Sequence, residues 1–155
     1  MSINKLRILL VEDDPLQISF FRQAVADSRQ LASAEIEVIK TEKGFYDWLK
    51  SNALPDLIVL DVMLRYTDPS PKMELPPPDI AKAGFYRAGI RCLKELRQKG
   101  NKALAETPVV IYTILEREDL KDEFCEDKIT TFLNKDFVPK TIIDEMLSSI
   151  STVAR

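Results

Sequence analysis

The stretch LRILLVEDDP, Leu6 to Pro15, decides how the rest of the chain is read. Six residues, mostly aliphatic, read as a strand with little polar relief. Glu12, Asp13 and Asp14 then follow side by side. Two carboxylates about 5 Å apart at an effective dielectric near 20 oppose each other by roughly 3 kcal/mol. Either water screens these acids on a solvated turn, or a cation lies among them. Asp14 separates from the other two on local grounds. With Pro15 after it and Gln17 at the third helical position, it reads as the N-cap of a helix.

Composition narrows the field. A chain of 155 residues suits one domain, residues 1–155, with a sizeable core. The hydrophobic fraction of 45% and charged fraction of 30% are those of an ordinary soluble protein. A net charge of −3 offers no basic excess for a phosphate backbone, which argues against direct nucleic-acid binding. The first apolar run is too short for a signal peptide or a membrane span, so a cytoplasmic location without membrane insertion is expected. Cys92 and Cys125 have neither metal-ligand nor redox spacing and are expected as buried thiols. The chain has no histidine. Any chemistry must therefore run on carboxylates, hydroxyls, lysines or a hard metal.

Four further strands follow the first. They are EIEVIKT (Glu35 to Thr41), LIVLD (Leu57 to Asp61), PVVIYT (Pro108 to Thr113) and TTFLNK (Thr130 to Lys135). The third and fourth strands are near-continuous hydrophobic runs, the pattern of strands buried on both faces of a parallel sheet. Helical patterns lie between them. Lys43 to Lys50 surrounds Phe45 and Trp48. Phe85, Gly89, Cys92 and Leu96 share one helical face. Glu116 to Asp127 is strongly acidic. Ile142, Ile143, Met146, Leu147 and Ile150 mark a last amphipathic helix. The acids of the fourth helix and Arg87, Arg91, Lys94 and Arg97 of the third read as solvated faces. The order βαβαβαβαβα implies a parallel sheet with helices on both faces.

Residues 65–83 break the rhythm. This segment carries five of the nine prolines, between one strand and its helix, where loops usually take two to six residues. Pro76, Pro77 and Pro78 favour an extended conformation. The segment reads as an exposed insertion, either a tolerated excursion or a docking loop. Deleting Thr67 to Pro78 is expected to leave the fold intact.

In a parallel sheet all carboxyl ends of the strands reach one edge, where ligand chemistry concentrates. The first strand ends at Glu12 and Asp13, the third at Asp61, the fourth at Thr113 and the fifth at Lys135. The acids supply the hard oxygen ligands that Mg²⁺ prefers. Asp61 can act as a nucleophile on phosphorus, with Lys135 neutralising phosphoryl oxygens and Thr113 donating a hydrogen bond. On this reading a divalent cation among the acids explains why they tolerate each other.

ILLVEDDP, PDLIVLDVML, PVVIYT and FLNKDF together resemble the signature blocks of response-regulator receiver domains. No block is specific alone; four in order are. The resemblance runs from about Lys5 to Ser151, apart from the insertion. It implies a flavodoxin-like α/β fold, a three-layer αβα sandwich around a five-stranded parallel sheet of order 2-1-3-4-5. It also implies Asp61 as phospho-acceptor and a magnesium site of Glu12, Asp13, Asp61 and the Met63 backbone carbonyl. Thr113 would be the switch hydroxyl, Lys135 the site lysine and Phe132 the switch aromatic. A histidine kinase or phosphotransfer protein would be the donor, and a downstream signalling protein the target. A homodimer through the face of the fourth helix, fifth strand and fifth helix is a further implication. Such a domain is no enzyme beyond its own self-catalysed phosphotransfer and dephosphorylation. The sequence stops after the fifth helix, so a stand-alone receiver is expected.

Three positions depart from the family pattern. Ile114 stands where a small residue usually follows the threonine, and could narrow access to the acceptor. Asp136 replaces the usual proline after Lys135. A non-proline cis bond costs about 2.5–4 kcal/mol, so a trans bond with a rearranged loop, or a strained one, is expected. The glycine that closes the loop after the acceptor aligns with Gly89, beyond the insertion. The alternative function is an atypical receiver that binds proteins through the insertion without phosphorylation. A flavin or nucleotide binder of the same fold would need a phosphate-cradling loop after the first strand. This chain has acids and Pro15 there, and its glycines are Gly44, Gly84, Gly89 and Gly100.

Overall fold

The structure is a computed structural model, and it describes residues 5–51, 53–84, 87–99, 101–123, 127–136 and 138–153. Strands β1 (Arg7–Val11), β2 (Glu35–Ile39), β3 (Leu57–Leu60), β4 (Val109–Thr113) and β5 (Thr130–Asn134) form one parallel sheet in the order β2-β1-β3-β4-β5. The helices are α1 (Pro15–Asp27), α2 (Glu42–Leu49), α3 (Pro78–Ala83), α4 (Ala88–Lys99), α5 (Lys102–Ala105), α6 (Arg117–Leu120) and α7 (Pro139–Val153). The flavodoxin-like αβα architecture and strand order are those expected.

The period of two along each strand divides the core. Ile8, Leu10, Leu57, Val59, Val110 and Tyr112 face α1 and α7, meeting Ile18, Phe21, Val25, Ile142 and Met146. Leu9, Val11, Ile58, Leu60, Val109 and Ile111 face α2 and α4, meeting Phe45, Trp48, Cys92 and Leu96. Both faces are covered, so the central strands carry apolar residues at consecutive positions. Phe21 and Phe45 are fully buried, each contributing about 1.5–3 kcal/mol. At the edge, β2 alternates instead, with Glu35 exposed and Ile39 inside.

Asp14 caps α1: its Oδ1 accepts from the Leu16 N–H at 2.8 Å. The reciprocal bond of a capping box is not made by Gln17. The Asp14 N–H donates instead to Glu12 Oε1 at 3.1 Å, drawing the cap into the acidic cluster. Thr41 caps α2, accepting from the Gly44 N–H at 3.0 Å.

Three expectations change. Among its described residues, the acidic segment Glu116–Asp127 forms only the single turn of α6, with turns to Glu123, and Leu120 is the one residue it buries there. An acidic helix without an apolar stripe has little to hold it against the sheet. The insertion is not wholly extended. Pro77 is extended, but Pro78 starts α3, its fixed φ and missing N–H suiting the first helical position. Gly84 ends α3 at φ 79°, a left-handed conformation that glycine adopts without penalty.

Third, Arg91 and Arg97 of α4 are spent inside the fold, while Lys94 stays exposed as expected. Arg91 makes a two-pronged bond to the buried Glu42, both contacts 2.7 Å, and donates to the Gly84 carbonyl at 3.0 Å. Tyr46 donates to the same Glu42 carboxylate. Burial, reinforced by that bond, pushes the Tyr46 phenol far above its usual range. Arg97 reaches the carbonyls of Ala105, Thr107 and Ile129 and the Thr130 hydroxyl. Arg87 pairs with Glu123 at 2.7 Å, so part of the acidic segment faces the basic helix. Cys92 is a buried free thiol; Cys125 and Phe85 lie outside the described residues.

Candidate phosphoryl-acceptor site

The C-terminal edge of the sheet gathers three of the expected residues in one buried cluster. Glu12 leaves β1, Asp61 leaves β3 and Lys135 leaves β5, each less than a tenth exposed. Lys135 Nζ lies 2.7 Å from Glu12 Oε2 and 3.1 Å from Asp61 Oδ2. Asp61 Oδ1 accepts from the Val62 N–H at 2.7 Å and from the Met63 N–H at 3.3 Å. Backbone bonds hold the frame. The Asp61 N–H donates to Val11, the Glu12 N–H to Ile39 and the Lys135 N–H to Thr113.

Two carboxylates and one ammonium leave the cluster one negative charge in surplus. Burial, and next the Asp61 charge, raise the Glu12 pKa to about 7 despite Lys135 beside it. Burial acts to lower the Lys135 pKa, but the Asp61 and Glu12 charges outweigh it and hold the ammonium above its usual range. The Lys135 ammonium also stands 5.6 Å from the ring centre of Tyr112, a contact that sequence reading missed. Tyr112 was legible only as one apolar residue of a strand.

Asp13 does not join that cluster. Its Oδ2 accepts from the Arg65 N–H at 3.3 Å and from Arg65 Nε at 3.4 Å. Among the described residues, no three acidic or thiol side chains converge closely enough to hold an ion. Each acid has a cation of the protein within contact, Lys135 for Glu12 and Asp61 and Arg65 for Asp13, which offsets part of their charge. Arg65 was read only as the start of the insertion, and no local signal marks it as a partner of Asp13.

Thr113 ends β4 fully buried, and its Oγ accepts from the Leu115 N–H at 3.3 Å. Phe132 is turned inward on β5, 7% exposed, with the Arg117 guanidinium 5.4 Å from its ring centre. Ile114 is 57% exposed, so its bulk stands toward solvent at the same edge. The Lys135–Asp136 bond is trans, and Asp136 Oδ1 accepts from the Val138 N–H at 3.0 Å. Gly89 closes the loop as expected. Its N–H donates to Val62 at 2.8 Å, and a Cβ there would sit 2.1 Å from the Asp61 carbonyl oxygen. Only glycine lets α4 approach the backbone so closely.

Beside Asp13 the insertion roofs a cleft of about 550 Å³. Leu64, Tyr66, Met73 and Ile80 give it an apolar lining, and Arg65 and Arg91 form part of its wall.

The sequence matches no family model and no curated relative. Solved structures do match the fold. A response regulator receiver protein from Sinorhizobium medicae aligns with a TM-score of 0.64 at 17% identity, over 97% of this chain and 98% of that one. A Francisella response regulator receiver domain aligns at 0.63 and 21%, over 96% and 99%. The receiver domain of a Pseudomonas aeruginosa sensor histidine kinase, solved with a magnesium ion coordinated in its active site cleft, aligns at 0.66 and 16%, over 95% and 98%. The chain therefore has the receiver-domain fold along nearly its whole length. Among the described residues no helix is long and apolar enough to cross a membrane.

Proposed function

We propose that this chain is a phosphoryl-accepting receiver in two-component signalling. The observation that carries the reading is the Asp61 carboxylate at the end of β3, buried, with Lys135 Nζ 3.1 Å from one of its oxygens. A carboxylate so placed can attack the phosphorus of a phosphohistidine on a partner kinase or phosphotransfer protein. The O–P bond forms as the N–P bond breaks, and the electron pair stays on the imidazole nitrogen. Lys135 offers its charge to the phosphoryl oxygens and the Thr113 hydroxyl a hydrogen bond. No separate catalyst is needed, so the chain serves as acceptor and not as an enzyme acting on other substrates.

The donor chemistry of the edge suits magnesium: the carboxylates of Glu12, Asp13 and Asp61 and the backbone carbonyl of Met63 are all hard oxygens, and the buried cluster has negative charge in surplus. Those four groups would hold the ion after drawing together around it, with Asp13 turning from Arg65, and the ion would neutralise charge on the transferring phosphoryl group. Phosphorylation replaces the Asp61 carboxylate charge with an acyl phosphate of about −2, a net gain of about one negative charge, which would bias surface contacts with a downstream protein or a second copy through Thr113 and Phe132. A cytoplasmic setting fits such a relay.

The test is acetyl phosphate with Mg²⁺, followed by intact mass. The wild type should gain one phosphate, and Asp61→Asn none. A second reading, a binding module independent of phosphorylation, draws on the insertion, where Met73 and Leu75 are 47% and 71% exposed beside the cleft. Absence of any adduct in the wild type, with partner binding kept, would favour it.

A further inference from the structure

We propose that Arg65 is a positioning residue that competes with a divalent cation for Asp13, so that the root of the insertion sets how readily the acidic edge takes up metal. This rests on the phosphoryl-acceptor reading above. Asp13 Oδ2 accepts two bonds from one residue, the Arg65 N–H at 3.3 Å and Nε at 3.4 Å. One donor is backbone and one is side chain, so the carboxylate is aimed at the segment leaving β3. Meanwhile Glu12 and Asp61 share Lys135. The three carboxylates are thus divided, two on one internal cation and one on the other.

Arg65 is not a loosely tethered loop residue. Its carbonyl accepts from the Glu42 N–H at 2.9 Å, and the Tyr66 carbonyl from the Lys43 N–H at 3.0 Å. The first turn of α2 therefore anchors the insertion's root while Asp13 holds it from the other side. Asp13 and Arg65 also stand together in the wall of the cleft beneath the insertion. The pair is the boundary between that cleft and the acidic edge.

A hard dication needs carboxylate lone pairs at short range and is repelled by a neighbouring guanidinium. To ligate through Asp13 Oδ2 it must displace the Arg65 side chain, and through Oδ1 it must approach a carboxylate whose charge the guanidinium already offsets. The Arg65 and Asp13 side chains are 44% and 24% exposed, so solvent screens the pair. A pair of that kind opposes metal by about 1.5- to five-fold in a binding constant.

Isothermal titration of the full chain with Mg²⁺ decides the matter. Arg65→Ala should bind Mg²⁺ about 1.5- to five-fold more tightly than the wild type. Lys5→Ala, which removes the same charge at the opposite edge of the sheet, should bind as the wild type does. Equal or weaker binding by Arg65→Ala overturns the competition and leaves the acceptor reading standing. Equal tightening in Lys5→Ala also overturns it, since net charge alone would explain the gain. A wild type that takes up no Mg²⁺ overturns both. Should Arg65→Ala lose cooperative unfolding, Arg65→Gln carries the same comparison with a polar side chain in place.

Discussion

Lys135 and Glu12 meet at 2.7 Å, although 123 positions separate them in the chain. The contact spans the sheet from β1 to β5 and passes Asp61 on the way. Both side chains are almost wholly removed from water, at 3% and 4% exposed. Neither would be stable alone at such depth, because a buried charge without a partner costs several kcal/mol. The Asp61 carboxylate therefore sits in a cluster whose charges depend on one another.

Lys135→Met removes the shared cation and leaves two buried carboxylates facing each other. It should destabilise the protein by about 3–5 kcal/mol at pH 8, read from urea midpoints. At pH 5.5 the loss should be smaller, since Glu12 can take up a proton and relieve the repulsion. A loss of the same size at both pH values would show that the cost is packing and not charge.

Glu12 also links wild-type stability to pH. Its pKa rises from 4.5 in the unfolded chain to about 7 in the folded one, through burial first and the Asp61 charge next. The folded state then holds more protons than the unfolded state between these values. This contribution is fully present below pH 4.5 and is lost as pH rises through 7, an effect of order 1–3 kcal/mol. Urea unfolding without divalent ions should show Glu12→Gln flattening this part of the stability–pH curve. An unchanged slope in that variant would assign it to other groups.

Gly89→Ala puts a methyl group 2.1 Å from the Asp61 carbonyl oxygen and 2.6 Å from Val62 Cα. Backbone on both sides cannot yield as a flexible side chain would. The cost should be about 1–3 kcal/mol in urea unfolding, with slower uptake of phosphate if Asp61 is the acceptor, because the displaced backbone carries Asp61. A variant as stable as the wild type would show that α4 can slide away at no expense.

Deleting Thr67 to Pro78 spares Arg65 and Tyr66, whose carbonyls accept from the first turn of α2. The removed segment is mostly exposed, and its Glu74 pairs with Lys43 only at 3.5 Å. Stability should change by less than about 1 kcal/mol, with cooperative thermal unfolding retained. Broad or absent unfolding would place the insertion within the core.

Local pattern determined most of the architecture. Aliphatic runs of strand length, most helical spacings between them and the Asp14–Pro15 start of α1 are short-range features that appear where the chain spells them, the acidic segment after β4 being the exception. The inventory at the sheet's carboxyl edge was legible for the same reason, since parallel strands all deliver their last residues to one side. Which of those residues pair was decided only in three dimensions. Nothing near Asp13 marks Arg65 as its partner, and nothing near Lys135 marks Tyr112 beneath it. Likewise the arginines of α4 looked like a solvated face, yet Arg91 and Arg97 are committed to Glu42 and to buried carbonyls. Charge pairing depends on distances between elements far apart in sequence, and on how much water the packing leaves between them. Periodicity carries neither quantity.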